Sequence, residues 1–80
     1  MIFVVAQSYQ RYLEFMHGRF PSVNPRTTRA YIYVGPNDAR KLEGVERGSR
    51  YIDLGGSSFA VRCLIAHRQL VLMTFTDNLT

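Results

Sequence analysis

At 80 residues the chain has room for a single domain, residues 1–80, that buries roughly 60–65% of its unfolded surface. An apolar fraction of 46% with 20% charged residues excludes intrinsic disorder, and no apolar run approaches the ~18 residues of a membrane span. The net charge is +4 and nine of the ten basic residues are arginine, so any charged partner is expected to be acidic, although the arginines are spread without a run and also suit a solvated surface.

Ile2 to Ala6 is a continuous apolar, β-branched run of strand length, suited to a strand covered on both faces. MIFVVAQ lacks the basic lead-in and small-residue cleavage site of a signal peptide, so the expected location is cytoplasmic. Ser8 is a helix N-cap candidate, and Tyr9, Tyr12, Leu13 and Met16 follow at the spacing of an amphipathic stripe. Gly18 is placed to stop that helix. RFPSVNPRTT (19–28) has no period and reads as a return loop.

Arg29 to Val34 is the second strand, with Tyr31 and Tyr33 on one face and Ile32 on the other. Pro36 suits a first helical turn, which predicts a short helix over Asn37 to Glu43, ended by Gly44, with Asp38 near its positive end. VERGSR (45–50) is a second return loop, and Tyr51 to Leu54 a third strand. Gly55-Gly56-Ser57-Ser58 turns the chain. Phe59 to Ala66 is helix or strand; the spacing of Val61, Leu64, Ile65 and Arg68 favours a helix capped by Ser57 or Ser58. Leu70 to Phe75 is the last strand, and Thr76 to Thr80 a polar tail.

The order is β-α-β-α-β-α-β. It predicts a small α/β, Rossmann-like three-layer domain with a four-stranded, mainly parallel sheet and right-handed crossovers. Three short helices barely cover four strands, so a thinly covered face or edge is expected, and with it self-association or docking onto a partner.

In such a sheet, ligands gather beyond the carboxyl ends of the strands. Gln7 and Ser8, then Gly35, Asn37 and Asp38, then Gly55, Gly56, Ser57 and Ser58, and finally Thr76, Asp77 and Asn78 fall there. Helix starts at Ser8, Asn37 and Ser58 would aim N–H groups at that rim, which makes Ser8, Asn37 and Gly55 to Ser58 the candidate anion site. GGSS carries neither the lysine of a phosphate loop nor the three spaced glycines of a dinucleotide fingerprint, so it reads first as a turn and a cap. No catalytic set can be assembled, and the chain is not expected to be an enzyme. His17 and His67 lack acidic neighbours at ligand spacing, and one cysteine excludes an internal disulfide; no metal or cofactor is expected. Cys63, inside an apolar stretch, is expected to be a buried thiol.

A second candidate surface joins aromatic and basic residues. Arg11, Tyr12, Phe15, Arg19, Arg40 and Lys41 are the residue types that interfaces favour, and the same types stack on single-stranded bases. A protein partner is the leading expectation, with nucleic acid and a phosphate-bearing ligand as alternatives.

IFVVAQSYQRYLEFMHG resembles the opening strand–helix of nucleotide-binding-like α/β folds and the corresponding strand of RecA-like helicase domains. Their phosphate loop and arginine motifs are missing, so nothing catalytic carries over. The strand at Ile2, the segment YVGPNDARKLEGV and the arginine-rich loops together resemble the small orphan α/β accessory proteins of bacteriophages. That resemblance implies a small accessory product that acts by binding, often on a host component.

Overall fold

The structure, a computed structural model, describes residues 1–73. Four strands, β1 (Ile2–Val5), β2 (Tyr31–Val34), β3 (Arg50–Asp53) and β4 (Val71–Met73), form one sheet in the order β2-β1-β3-β4, every pair parallel. Helix α1 (Tyr9–Arg19) links β1 to β2, a single 3₁₀ turn (Ala39–Leu42) interrupts the path from β2 to β3, and α2 (Phe59–Arg68) links β3 to β4. The expected α/β class with a parallel four-stranded sheet is what the chain forms. Thr74 and Phe75 of the expected last strand, and the rim residues Thr76, Asp77 and Asn78, lie outside the described residues.

The strand order fixes which face each connection covers. The β1→β2 step moves one way along the sheet, whereas β2→β3 and β3→β4 both move the other way. With right-handed crossovers throughout, α1 must cover one face and the 3₁₀ turn and α2 the opposite one. Side-chain alternation agrees. Val4, Ala6 and Ile52 pack with Tyr12, Phe15 and Met16 of α1, while Phe3, Val5 and Val34 pack with Leu42 and Val61. Strand β1, central and covered twice, keeps Val4, Val5 and Ala6 fully buried and Phe3 nearly so.

Three elements depart from expectation. Helix α1 runs through Gly18 to Arg19 and closes at Phe20, whose N–H donates to the Met16 carbonyl at 2.8 Å. Phe20 packs on Phe15 and Tyr31, with ring centroids 6.0 and 4.8 Å away, and that burial offsets the ~1 kcal/mol that a helical glycine costs. The buried stripe of α1 is Tyr12, Phe15 and Met16, and Tyr9 is 40% exposed.

The predicted second helix contracts to one 3₁₀ turn. Asp38 accepts the Gly35 N–H at 2.9 Å, which holds residues 35–38 in a turn, and Leu42 is the single fully buried anchor of the 3₁₀ segment. In α2, capped by the Ser58 hydroxyl on Val61 N–H, only Val61 is fully buried. Cys63 lies about 200° further round the helix and is exposed, so the expected buried thiol is corrected by helical geometry.

Candidate functional site

Parallel pairing gathers the loops after β1, β2 and β3 at one end of the sheet. Consecutive connections diverge between β1 and β3, the switch point where such sheets open a crevice. Gln7 and Ser8 therefore lie beside Gly55 to Ser58. The contact is close: a Cβ built on Gly56 would come within 2.9 Å of Gln7 Cβ and 3.3 Å of its Cα, and Gly56 has φ of +77°. Glycine here admits one loop against the other.

Part of the polar set of GGSS is spent on the turn and the helix it opens. Asp53 Oδ1 accepts the Gly55 N–H at 2.8 Å, and Ser58 Oγ accepts Val61 N–H. Ser8 Oγ accepts Arg11 N–H at 3.1 Å. Asn37 belongs to the turn after β2 and is exposed; the 3₁₀ segment beyond it is too short to present a helix N-terminus. The Asp53 carboxylate adds a negative group to the very corner an anion would occupy.

The aromatic–basic set is not one surface. Tyr12 is 1% and Phe15 0% exposed, so both belong to the core beneath α1 and neither can face a partner. The sequence period failed to separate them from the exposed face because four aromatic or apolar residues crowd positions 12–16. Tyr12 still satisfies its hydroxyl, which donates to the Pro25 carbonyl at 3.2 Å; burial first, and then the neighbouring Tyr9, push its pKa upward. Arg11 and Arg19 ride on α1, over one sheet face, while Arg40 and Lys41 sit on the 3₁₀ turn over the other.

Packing assembles a different cluster at the β2 flank of the rim. Tyr9 lies 5.6 Å from Tyr12 and 5.4 Å, edge-on, from Tyr33, with the Arg26 guanidinium 5.8 Å from the Tyr9 ring centroid. Lys41 Nζ lies 5.1 Å from the Tyr33 ring centroid and donates to the Tyr33 carbonyl at 2.8 Å, while pairing with Asp38 at 3.2 Å. Tyr33, like Tyr12, has its pKa raised, by burial and then by Asp38. The apolar spacing places Tyr9 on the buried stripe of the helix and so missed it as a rim residue; Arg26, in a loop with no period, gave no signal.

Asp38 is the hinge of this corner. Its pKa is lowered, chiefly by the Gly35 N–H and further by Lys41, against an opposing effect of burial. A depressed carboxylate contributes stability above its unfolded pKa and loses it as pH falls through the folded value. The urea midpoints of the parent and Asp38→Asn should therefore differ at neutral pH and converge in acid, below the ordinary aspartate range. A difference independent of pH would show that the carboxylate charge is not what holds the turn.

Among the described residues no group of three or more His, Cys, Asp or Glu side chains could hold a metal ion, and no helix is long and apolar enough to cross a membrane. A hollow of ≈ 630 Å³ opens at the amino ends of the strands, floored by Phe3 and Ile32, where the 3₁₀ turn replaces a full helix. Its rim mixes Lys41 and Arg50 with Glu43 and Glu46, so no ligand charge is selected.

Fold and rim together define a small open α/β domain, all-parallel, with strand order 2-1-3-4. Beyond that class, the chain matches no protein-family model, no curated protein and no solved structure.

Proposed function

We propose that the chain is a non-catalytic accessory protein that binds another protein through the tyrosine–cation corner of the rim. The observation that carries this reading is Tyr9. Its ring is 40% exposed yet held by Tyr12 and Tyr33 behind it and Arg26 beside it. A large amphipathic side chain fixed before contact loses little entropy on binding, and tyrosine and arginine dominate interface hot spots. Arg26 beside the ring adds positive charge and favours an acidic rim on the partner, while Lys41, on Tyr33, is already paired with Asp38. The resemblance to phage accessory proteins adds that the partner would belong to a host cell.

The reading favours protein over a phosphate ligand at Gly55 to Ser58, because Asp53 stands in that corner. It also separates from a nucleic-acid reading, for which the same exposed ring and cations would serve in base stacking. The test is affinity capture from the native host with the parent, Tyr9→Ala and Arg26→Ala. A partner retained at moderate salt and lost from Tyr9→Ala, with at least about 30-fold weaker affinity once purified, is the expected result. Binding that collapses steeply with salt and follows nucleic acid would transfer the corner to the nucleic-acid reading. Capture unchanged in both variants would remove the corner as the interface.

A further inference from the structure

The two edges of the sheet are finished differently. On β2, alternate residues face β1: Ile2 N–H donates to the Ala30 carbonyl and Ala6 N–H to the Val34 carbonyl. Tyr31 and Tyr33 therefore turn their backbone groups outward, and the Tyr33 carbonyl is stoppered by Lys41. A lysine on an edge is a common guard against strand addition. The β4 edge has no such guard among the described residues. Val71 N–H donates to the Ser49 carbonyl at 2.8 Å, so Val71 and Met73 face β3 and Leu72 points its N–H and C=O outward.

The side chains beside that edge are apolar and uncovered. Val71 is 53% and Leu72 49% exposed, on opposite faces of the sheet. On the Leu72 face a crevice of ≈ 350 Å³ runs between α2 and the sheet, with Tyr51, Ile65, Ala66 and Leu70 as apolar lining and Arg62 on its wall. On the Val71 face, Arg50 is the register partner of Val71 and is exposed. Neither Arg50 nor Arg62 forms an ion pair among the described residues, and Arg68, just before β4, has a buried Nε with no acceptor there. Asp53 also lines the crevice, where it accepts the Gly55 N–H, but Arg50, Arg62 and Arg68 outnumber it along this flank.

We propose that β4 and the α2 crevice form a docking groove for an extended acidic peptide segment of a partner protein, added to the sheet as a strand. Main-chain bonds to Leu72 supply register, an apolar side chain enters the crevice, and flanking carboxylates meet Arg50 and Arg62. Charge selects this occupant over a second copy of the chain, since pairing two β4 edges would bring together two flanks that each carry Arg50, Arg62 and Arg68 against one Asp53. The groove lies on the opposite flank of the sheet from Tyr9, so it goes beyond the function proposed above and can fail without it.

The probe is a labelled peptide of about seven alternating glutamate and valine residues, with a lysine–valine peptide as control. Anisotropy with the full chain should show binding of the glutamate peptide only. Hydrogen exchange at the Leu72 amide should slow on binding. Leu72→Pro removes an outward N–H, a change edge strands tolerate, and Arg62→Glu leaves the backbone intact; each should weaken binding at least about tenfold. Tyr9→Ala should leave peptide binding unchanged. Equal binding of the lysine peptide, or an unprotected Leu72 amide in the bound state, would overturn the proposal. So would a concentration-dependent dimer in sedimentation that Leu72→Pro abolishes, which would give the edge to a second copy.

Discussion

Phe15→Ala is expected to leave the chain largely unfolded at 25 °C. Phe15 is fully buried, packed under α1 with Val4, Met16 and Ile52. Truncating a buried phenylalanine costs about 3–5 kcal/mol, because the transfer energy of the ring is lost and the cavity collapses only in part. A single core in a domain of this size supplies about 3–5 kcal/mol of net stability, so the loss is comparable with the whole. Urea denaturation followed by circular dichroism checks it. The same experiment decides the role of Phe15: a surface residue would shift stability by no more than about 0.5 kcal/mol and change binding alone. A cooperative transition near the parent midpoint would return Phe15 to the surface and undo the placement of α1.

Gly56→Ala should destabilise by about 2–5 kcal/mol, more than the same change at Gly55. Two effects add. A residue with a Cβ at φ of +77° costs about 1–2 kcal/mol, and crowding Gln7 costs about 1–3 kcal/mol more. The Gln7 Cγ, 2.7 Å from the new atom, can swing away, but its Cβ and Cα cannot move without shifting the end of β1. Gly55 also has positive φ, +90°, with open space around it, so Gly55→Ala should cost only the conformational share, about 1–2 kcal/mol. A thermal or urea series on the two variants gives the ranking. A cycle with Gln7→Gly should recover about 1 kcal/mol in the Gly56→Ala background and nothing in Gly55→Ala. Equal costs for the two alanines would mean that the β1 and β3 loops do not touch.

The contact of Gly56 with Gln7 joins residues far apart in the chain, and no local pattern announces it. The positive φ at Gly55 and Gly56 is closer to the sequence, since adjacent glycines between a strand and a cap are the usual chemistry of such a corner. At GGSS, Asp53 accepts the Gly55 N–H and Ser58 caps α2, so these two groups serve structure, and both partners come from the adjoining strand and helix. The Tyr9 corner was not legible. The helical period puts Tyr9 on the buried stripe, and Arg26 reaches it from a loop whose path only packing decides.

By itself the sequence determined the alternation of strands and helices, the covering of the apolar run at Ile2 to Ala6 on both faces, a cap at Ser8, a second at Ser57 or Ser58, and the shared face of Tyr31 and Tyr33. All of these come from contacts within a few residues, where hydrophobic period and capping chemistry act. Tertiary structure alone decided the strand order, the burial of Phe15 over Tyr9, the exposure of Cys63 and the contraction of the second helix to one turn. It also decided that, among the described residues, one sheet edge carries a lysine guard and the other does not. Each of those turns on which distant surface an element meets, and the free energy of that meeting is set by burial across the sheet rather than along the chain.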